Sequence, residues 1–129
     1  FVSGAVETIA KLGRHPKVER SVLISKCGPV IQARTMEVLK AKGFFNVTGI
    51  NPDIDVFFCR ERSQKAGIAA PLGITHFVDD RAEILETLDS VNTRIHFAPP
   101  TPADAIYDGQ LLQARNWDEV YRLVEQSLA

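Results

Sequence analysis

Four short strand-forming runs constrain this chain more than any other feature. They are Val22-Leu23-Ile24, Val56-Phe57-Phe58-Cys59, Thr75 to Val78 and Thr93 to Phe97, and helix-forming stretches lie between them. Val22-Leu23-Ile24 and Val56-Phe57-Phe58-Cys59 are apolar on successive residues, which suits strands buried on both faces. Parallel strands need a crossover between them, and an intervening helix supplies it. The pattern predicts one α/β domain over residues 1–129, with a doubly wound, mostly parallel sheet of about four strands between two layers of helices, three layers in all.

The helices carry their own punctuation. The first spans Gly4 to Leu12, with Ser3 as its cap, Val6, Ile9 and Ala10 inward, and Gly13 at its end. The second starts at Pro29, where a missing amide proton does no harm. It repeats Val30, Ile31, Val38 and Leu39 two turns apart and stops at Gly43. Asn51-Pro52-Asp53 reads as a turn before the Val56 strand. Val18 to Ser25 contains the run Val22-Leu23-Ile24, expected as a short buried strand. Ser63 can cap a short helix starting near Gln64, which Pro71 must end or kink. Ala82 to Leu88 is a helix with Ile84, Leu85 and Leu88 inward. From Pro99-Pro100-Thr101-Pro102 onward, residues 99–129 read as a Pro-rich loop and then a final helix. Asn116 caps that helix, Glu119 follows three residues later, and Trp117, Val120, Tyr121, Val124 and Leu128 form its packing face.

Composition narrows the function classes. At 129 residues the chain has room for one core. A formal net charge of -1 gives no electrostatic argument for a nucleic-acid or membrane-surface partner. No apolar run is long enough to span a bilayer. Cys27 and Cys59 fit no metal or redox spacing and read as free thiols of a reducing compartment, so a cytoplasmic location is expected. Homo-oligomerisation stays open. The chain opens at Phe1, as a processed or cut chain does.

In open α/β sheets ligands bind beyond the carboxyl ends of the strands. Ser25 closes the Leu23-Ile24 strand, Asp79-Asp80 closes the Phe77-Val78 strand, and Lys65 opens the helix before that strand. Two adjacent carboxylates repel unless a cation neutralises them, and magnesium prefers such hard oxygen ligands. A hydroxyl near a helix start holds a phosphate oxygen, and a lysine adds a point charge to the same anion. Each feature also has a plain structural reading. The acidic pair can cap the following helix, Arg81 can neutralise it, and Arg60, Arg62 and Lys65 can be a solvated basic turn.

The segments Val22-Leu23-Ile24-Ser25, Lys65 at a helix start and His76-Phe77-Val78-Asp79-Asp80-Arg81 resemble the second, third and fourth motifs of the haloacid-dehalogenase-like superfamily. Ser25-Lys26-Cys27-Gly28-Pro29, with Arg34-Thr35 downstream, and Phe58-Cys59-Arg60-Glu61-Arg62 resemble a group of its small members. The resemblance covers roughly Gly4 to Phe97. It implies a Rossmann-like fold and a magnesium-dependent phosphohydrolase that acts through an aspartyl-phosphate on a small phosphorylated molecule. It implies that Ser25 and Lys65 hold the transferring phosphoryl group, with Lys26 beside Ser25 in the substrate site, and that Asp79 and Asp80 support magnesium.

The family's first motif, an apolar strand ending in D-x-D, has no counterpart before the first helix. It supplies the nucleophile and the general acid-base. In the family that strand lies at the sheet centre, so its loss leaves backbone groups unpaired. The expectation is that upstream residues carry it; the alternative is a true truncation, repaired by another chain or by rearrangement. Asp53 and Asp55 form a D-x-D, but they precede a strand and are rejected as a substitute. Cys27 and Arg34 approach the C-x5-R of cysteine phosphatases, yet six residues separate them and Pro29 removes a backbone donor. His76 reads as structural, and His15 and His96 have no companions at metal spacing. Two competing readings remain: a catalytically inactive binding or regulatory module of the same family, and a flavodoxin-like or receiver-like domain.

Overall fold

The computed structural model describes residues 4–97 and 111–129. The expected Ser3 cap and the Pro99-Pro100-Thr101-Pro102 loop lie outside the described residues. The chain divides into two compact units, Phe1–Gln64 and Lys65–Ala129.

The first unit holds α1 (Ala5–Gly13), β1 (Leu23–Lys26), α2 (Pro29–Ala41), α3 (Phe44–Thr48) and β2 (Val56–Cys59). β1 and β2 pair in parallel, from Leu23 opposite Val56 to Lys26 opposite Cys59. β1 falls on the expected Val22-Leu23-Ile24 run and extends through Lys26, and a ladder bond runs from the Leu23 N–H to the Asp55 carbonyl, 2.9 Å. Leu39, Phe44 and Ile50 form a buried cluster, with Val6, Ile9, Leu23, Phe45 and Val56 packed against it.

α3 is an element that the sequence pattern does not predict. Gly43 does end the regular α2 region, in a left-handed conformation (φ 70) that costs other residues steric strain. The chain then re-enters a helix, because burying Phe44 and stacking it edge-on against Phe45 rewards one more turn. α1 and α3 approach closely at Gly13, where a β-carbon would sit 2.9 Å from the Thr48 carbonyl oxygen. The apolar repeat of α2 is buried only at Leu39; Val30, Ile31 and Val38 are exposed.

The second unit holds α4 (Gln64–Leu72) from Lys65 onward, β3 (His76–Asp79), α5 (Ala82–Leu85), β4 (Thr93–Phe97), β5 (Leu111–Ala114) and α6 (Trp117–Leu128). Its sheet has the order β3-β4-β5 and both pairings are parallel. β5 corrects the expected run of loop into final helix and brings the described strands to five. Four residues with a central Gln113 carry no strand signature of their own. The ladder to β4, from Arg94 opposite Leu111 to Phe97 opposite Ala114, defines the strand.

Local signals held elsewhere. Pro71 sits in the last turn of α4, and the helix closes through Gly73 N–H to the Ala70 carbonyl (3.1 Å) and Ile74 N–H to the Ala69 carbonyl (3.3 Å). Gly73 takes the positive φ of 67° that such a closure needs. α5 is shorter than expected, but turns carry the chain onward and Ile84, Leu85 and Leu88 are all buried. The Asn116 side chain accepts from the Glu119 N–H at 2.9 Å, while the Glu119 carboxylate reaches back to the Arg115 N–H at 3.0 Å.

The molecule is thus mixed α/β, with small parallel sheets of two and three strands and six helices among the described residues. Among those residues no helix is long and apolar enough to cross a membrane.

Candidate functional site

β3 ends in an acidic residue and turns sharply, so its last side chain lies at the rim of the second unit's sheet. Successive side chains on a strand alternate faces. Phe77 and Asp79 therefore share one face, and both are 9% exposed. Lys65, in the first turn of α4, sends its ammonium to Asp79 Oδ2 at 2.9 Å. The other oxygen, Oδ1, accepts the Arg81 N–H at 3.0 Å. Asp79 is thus held by a cation on one side and by the turn into α5 on the other. The two side chains retain only 11% and 6% of their exposure, so this pair is screened little by solvent.

Asp80 is exposed, and its backbone carbonyl accepts from His96 Nε2 at 3.1 Å. His96 lies on β4 opposite Asp79 and is 2% exposed. A main-chain carbonyl as partner is something no residue spacing encodes. Only the register of β3 against β4 reveals it. The Arg81 guanidinium does not neutralise the acidic pair; it lies 3.5 Å from Glu83, and its backbone N–H serves Asp79 instead.

Ser25 and Lys26 are the last residues of β1, in the first unit. Ser25 is half-buried and Lys26 exposed. Beyond them the Arg60 side chain donates to the Cys27 carbonyl (2.8 Å) and to Gln32 Oε1 (3.0 Å). Arg60 therefore clasps the loop after β1 to the first turns of α2. Gln64 Oε1 in turn accepts the Arg60 and Glu61 N–H groups, at 2.9 and 3.0 Å. Asp55 is 8% exposed and fixed by Arg20 Nε at 2.6 Å and the Asn51 N–H at 2.9 Å, so the Asp53-Asp55 pair belongs to the turn before β2.

His76 has both ring nitrogens engaged, Nδ1 with Thr75 Oγ1 at 2.7 Å and Nε2 with Ser127 Oγ at 2.6 Å. Ser127 spends its proton on the Val124 carbonyl, so it accepts from Nε2–H, and Nδ1 accepts from Thr75. Burial lowers the His76 pKa below its ordinary 6.5. On acidification the unfolded chain takes up this proton before the folded one. The stability that His76 contributes is complete above pH 6.5 and is lost as pH falls through the lower, folded value. Urea unfolding at a pH above and a pH below that window is expected to show a larger drop for the wild type than for His76→Gln. Equal drops would refute it.

Among the described residues, no group of three or more His, Cys, Asp or Glu side chains is arranged to hold a metal ion. Compared with protein-family models, with curated proteins and with solved structures, the chain matches none.

Proposed function

We propose that this chain carries the phosphate- and magnesium-binding part of a haloacid-dehalogenase-like phosphohydrolase, built on a three-layer Rossmann-like fold. The observation that carries this reading is the buried Lys65–Asp79 pair with the exposed Asp80 beside it, at the carboxyl end of a parallel strand. Magnesium keeps most of its waters and asks for one or two carboxylates rather than a full protein cage. Asp80 suits a direct ligand. Asp79, whose oxygens each already accept one donor, suits a contact through water. When bound, the ion neutralises charge on the phosphoryl oxygens.

Lys65 does the complementary work. An ammonium has three N–H donors and Asp79 takes one, so two remain for the oxygens of a phosphorylated small molecule. The ion pair with Asp79 holds the lysine in place and gives it little freedom to lose when the anion arrives. Ser25 and Lys26 enter this reading through the family resemblance, as further contacts to the phosphoryl group. The aspartyl-phosphate step needs a nucleophilic carboxylate that the Asp53-Asp55 pair does not offer, since Asp55 is held by Arg20 and Asn51. The second reading is a binding or regulatory module that keeps the anion and cation sites without turnover.

Phosphatase screening of the full-length gene product, with and without magnesium, separates the two. Magnesium-dependent phosphate release supports the enzyme, and magnesium binding without release supports the module. Calorimetry tests what both share: Asp80→Asn and Asp79→Asn are each expected to weaken magnesium binding about tenfold or more, the scale seen when the support of a metal site is removed. Unchanged titrations for both variants would defeat both readings.

A further inference from the structure

We propose that His96 is a positioning residue for Asp80, fixing where its carboxylate points and so how tightly the β3 rim holds a divalent cation. The cation part rests on the magnesium reading above; the positioning part does not.

A carbonyl oxygen only accepts, so the Nε2 of His96 that lies 3.1 Å from the Asp80 carbonyl carries a proton and donates. The same peptide unit bears the Arg81 N–H, which donates to Asp79 Oδ1 at 3.0 Å. A peptide is planar, so its oxygen and its N–H move as one body. This plane is held at both edges, by β4 through His96 and by β3 through Asp79. Asp79 is itself held by Lys65 at 2.9 Å. Fixing the plane fixes the Asp80 backbone at the strand end and with it the direction of the Cα–Cβ bond. Asp80 is exposed, so little but its backbone aims its carboxylate. His96 is 2% exposed in the central strand of the sheet, which makes the anchor stiff. Losing a support of this kind, one shell removed from a metal ligand, typically costs about 10–100-fold in metal affinity.

Two variants separate donation from space filling. His96→Leu keeps apolar bulk and removes the donor; His96→Gln keeps a donor of similar reach. Amide exchange of Arg81, read by NMR, is expected to quicken about tenfold in His96→Leu and to stay within about threefold of the wild type in His96→Gln. The dissociation constant for magnesium alone, by calorimetry, is expected to follow the same order, about tenfold weaker and nearly restored. His96→Asn, polar but too short to reach, replaces the Leu variant if that one does not fold. Arg81 exchange that is unchanged in the donorless variant, or equally fast in both, overturns the proposal. If Arg81 responds as expected while the wild type takes up no magnesium, positioning stands and the magnesium reading falls.

Discussion

Replacing Lys65 with Met is expected to destabilise the folded protein by about 3–5 kcal/mol, the range for breaking a buried ion pair from one side. The size follows from burial. The Lys65 and Asp79 side chains keep 11% and 6% of their exposure, and without the ammonium Asp79 retains only the Arg81 N–H as a donor close at hand. A solvent-exposed pair of the same geometry contributes about 0–1 kcal/mol, so the two cases are well separated. The double variant Lys65→Met/Asp79→Leu removes both charges and is expected to regain much of the loss, since a buried pair replaced by apolar groups is often neutral. Urea unfolding of the wild type, both single variants and the double variant completes the cycle. A Lys65→Met protein within about 1 kcal/mol of the wild type would show that the pair is open to water and would remove the strongest support for the rim site.

Ile95→Ala is expected to cost about 2–5 kcal/mol, the range for deleting a buried aliphatic side chain and leaving a cavity. Ile95 is 0% exposed and stands in the middle strand, opposite Val78 of β3 and Leu112 of β5. Leu112 is 40% exposed, and Leu112→Ala is expected to cost about 1 kcal/mol or less. The contrast tests β5 as well as Ile95. If β5 did not pair with β4, β4 would be an edge strand and a truncation at Ile95 would be milder. Chemical denaturation of the two variants side by side gives the answer, and similar losses would contradict the three-stranded order.

The candidate site shows which kinds of signal are readable in a linear chain. Lys65 at a helix start and Asp79-Asp80 at a strand end are positions set by the nearest few residues, so the sequence marks them. Their meeting at 2.9 Å spans 14 residues and needs α4 to return beside β3. The His96 bond to Asp80 spans 16 residues and depends on strand register, where a slip of one residue would turn the imidazole to the other face. Arg60 looked like part of a charged turn, and its role as a clasp between Cys27 and Gln32 appears only across 33 and 28 residues.

By itself the sequence determined the α/β character, the first four strands, the cap at Asn116, the helix start at Pro29 and the stop after Pro71. Those features rest on periodicity, capping and proline geometry, which act over one or two turns of chain. The tertiary structure decided β5, α3, the exposure of most of the α2 stripe and the surroundings of Asp79 and Asp80. Each of these is set by what lies opposite in space: β5 exists through its ladder to β4, and α3 forms where Phe44 can be buried. Pairing and burial are properties of two segments at once, and neither segment alone contains them.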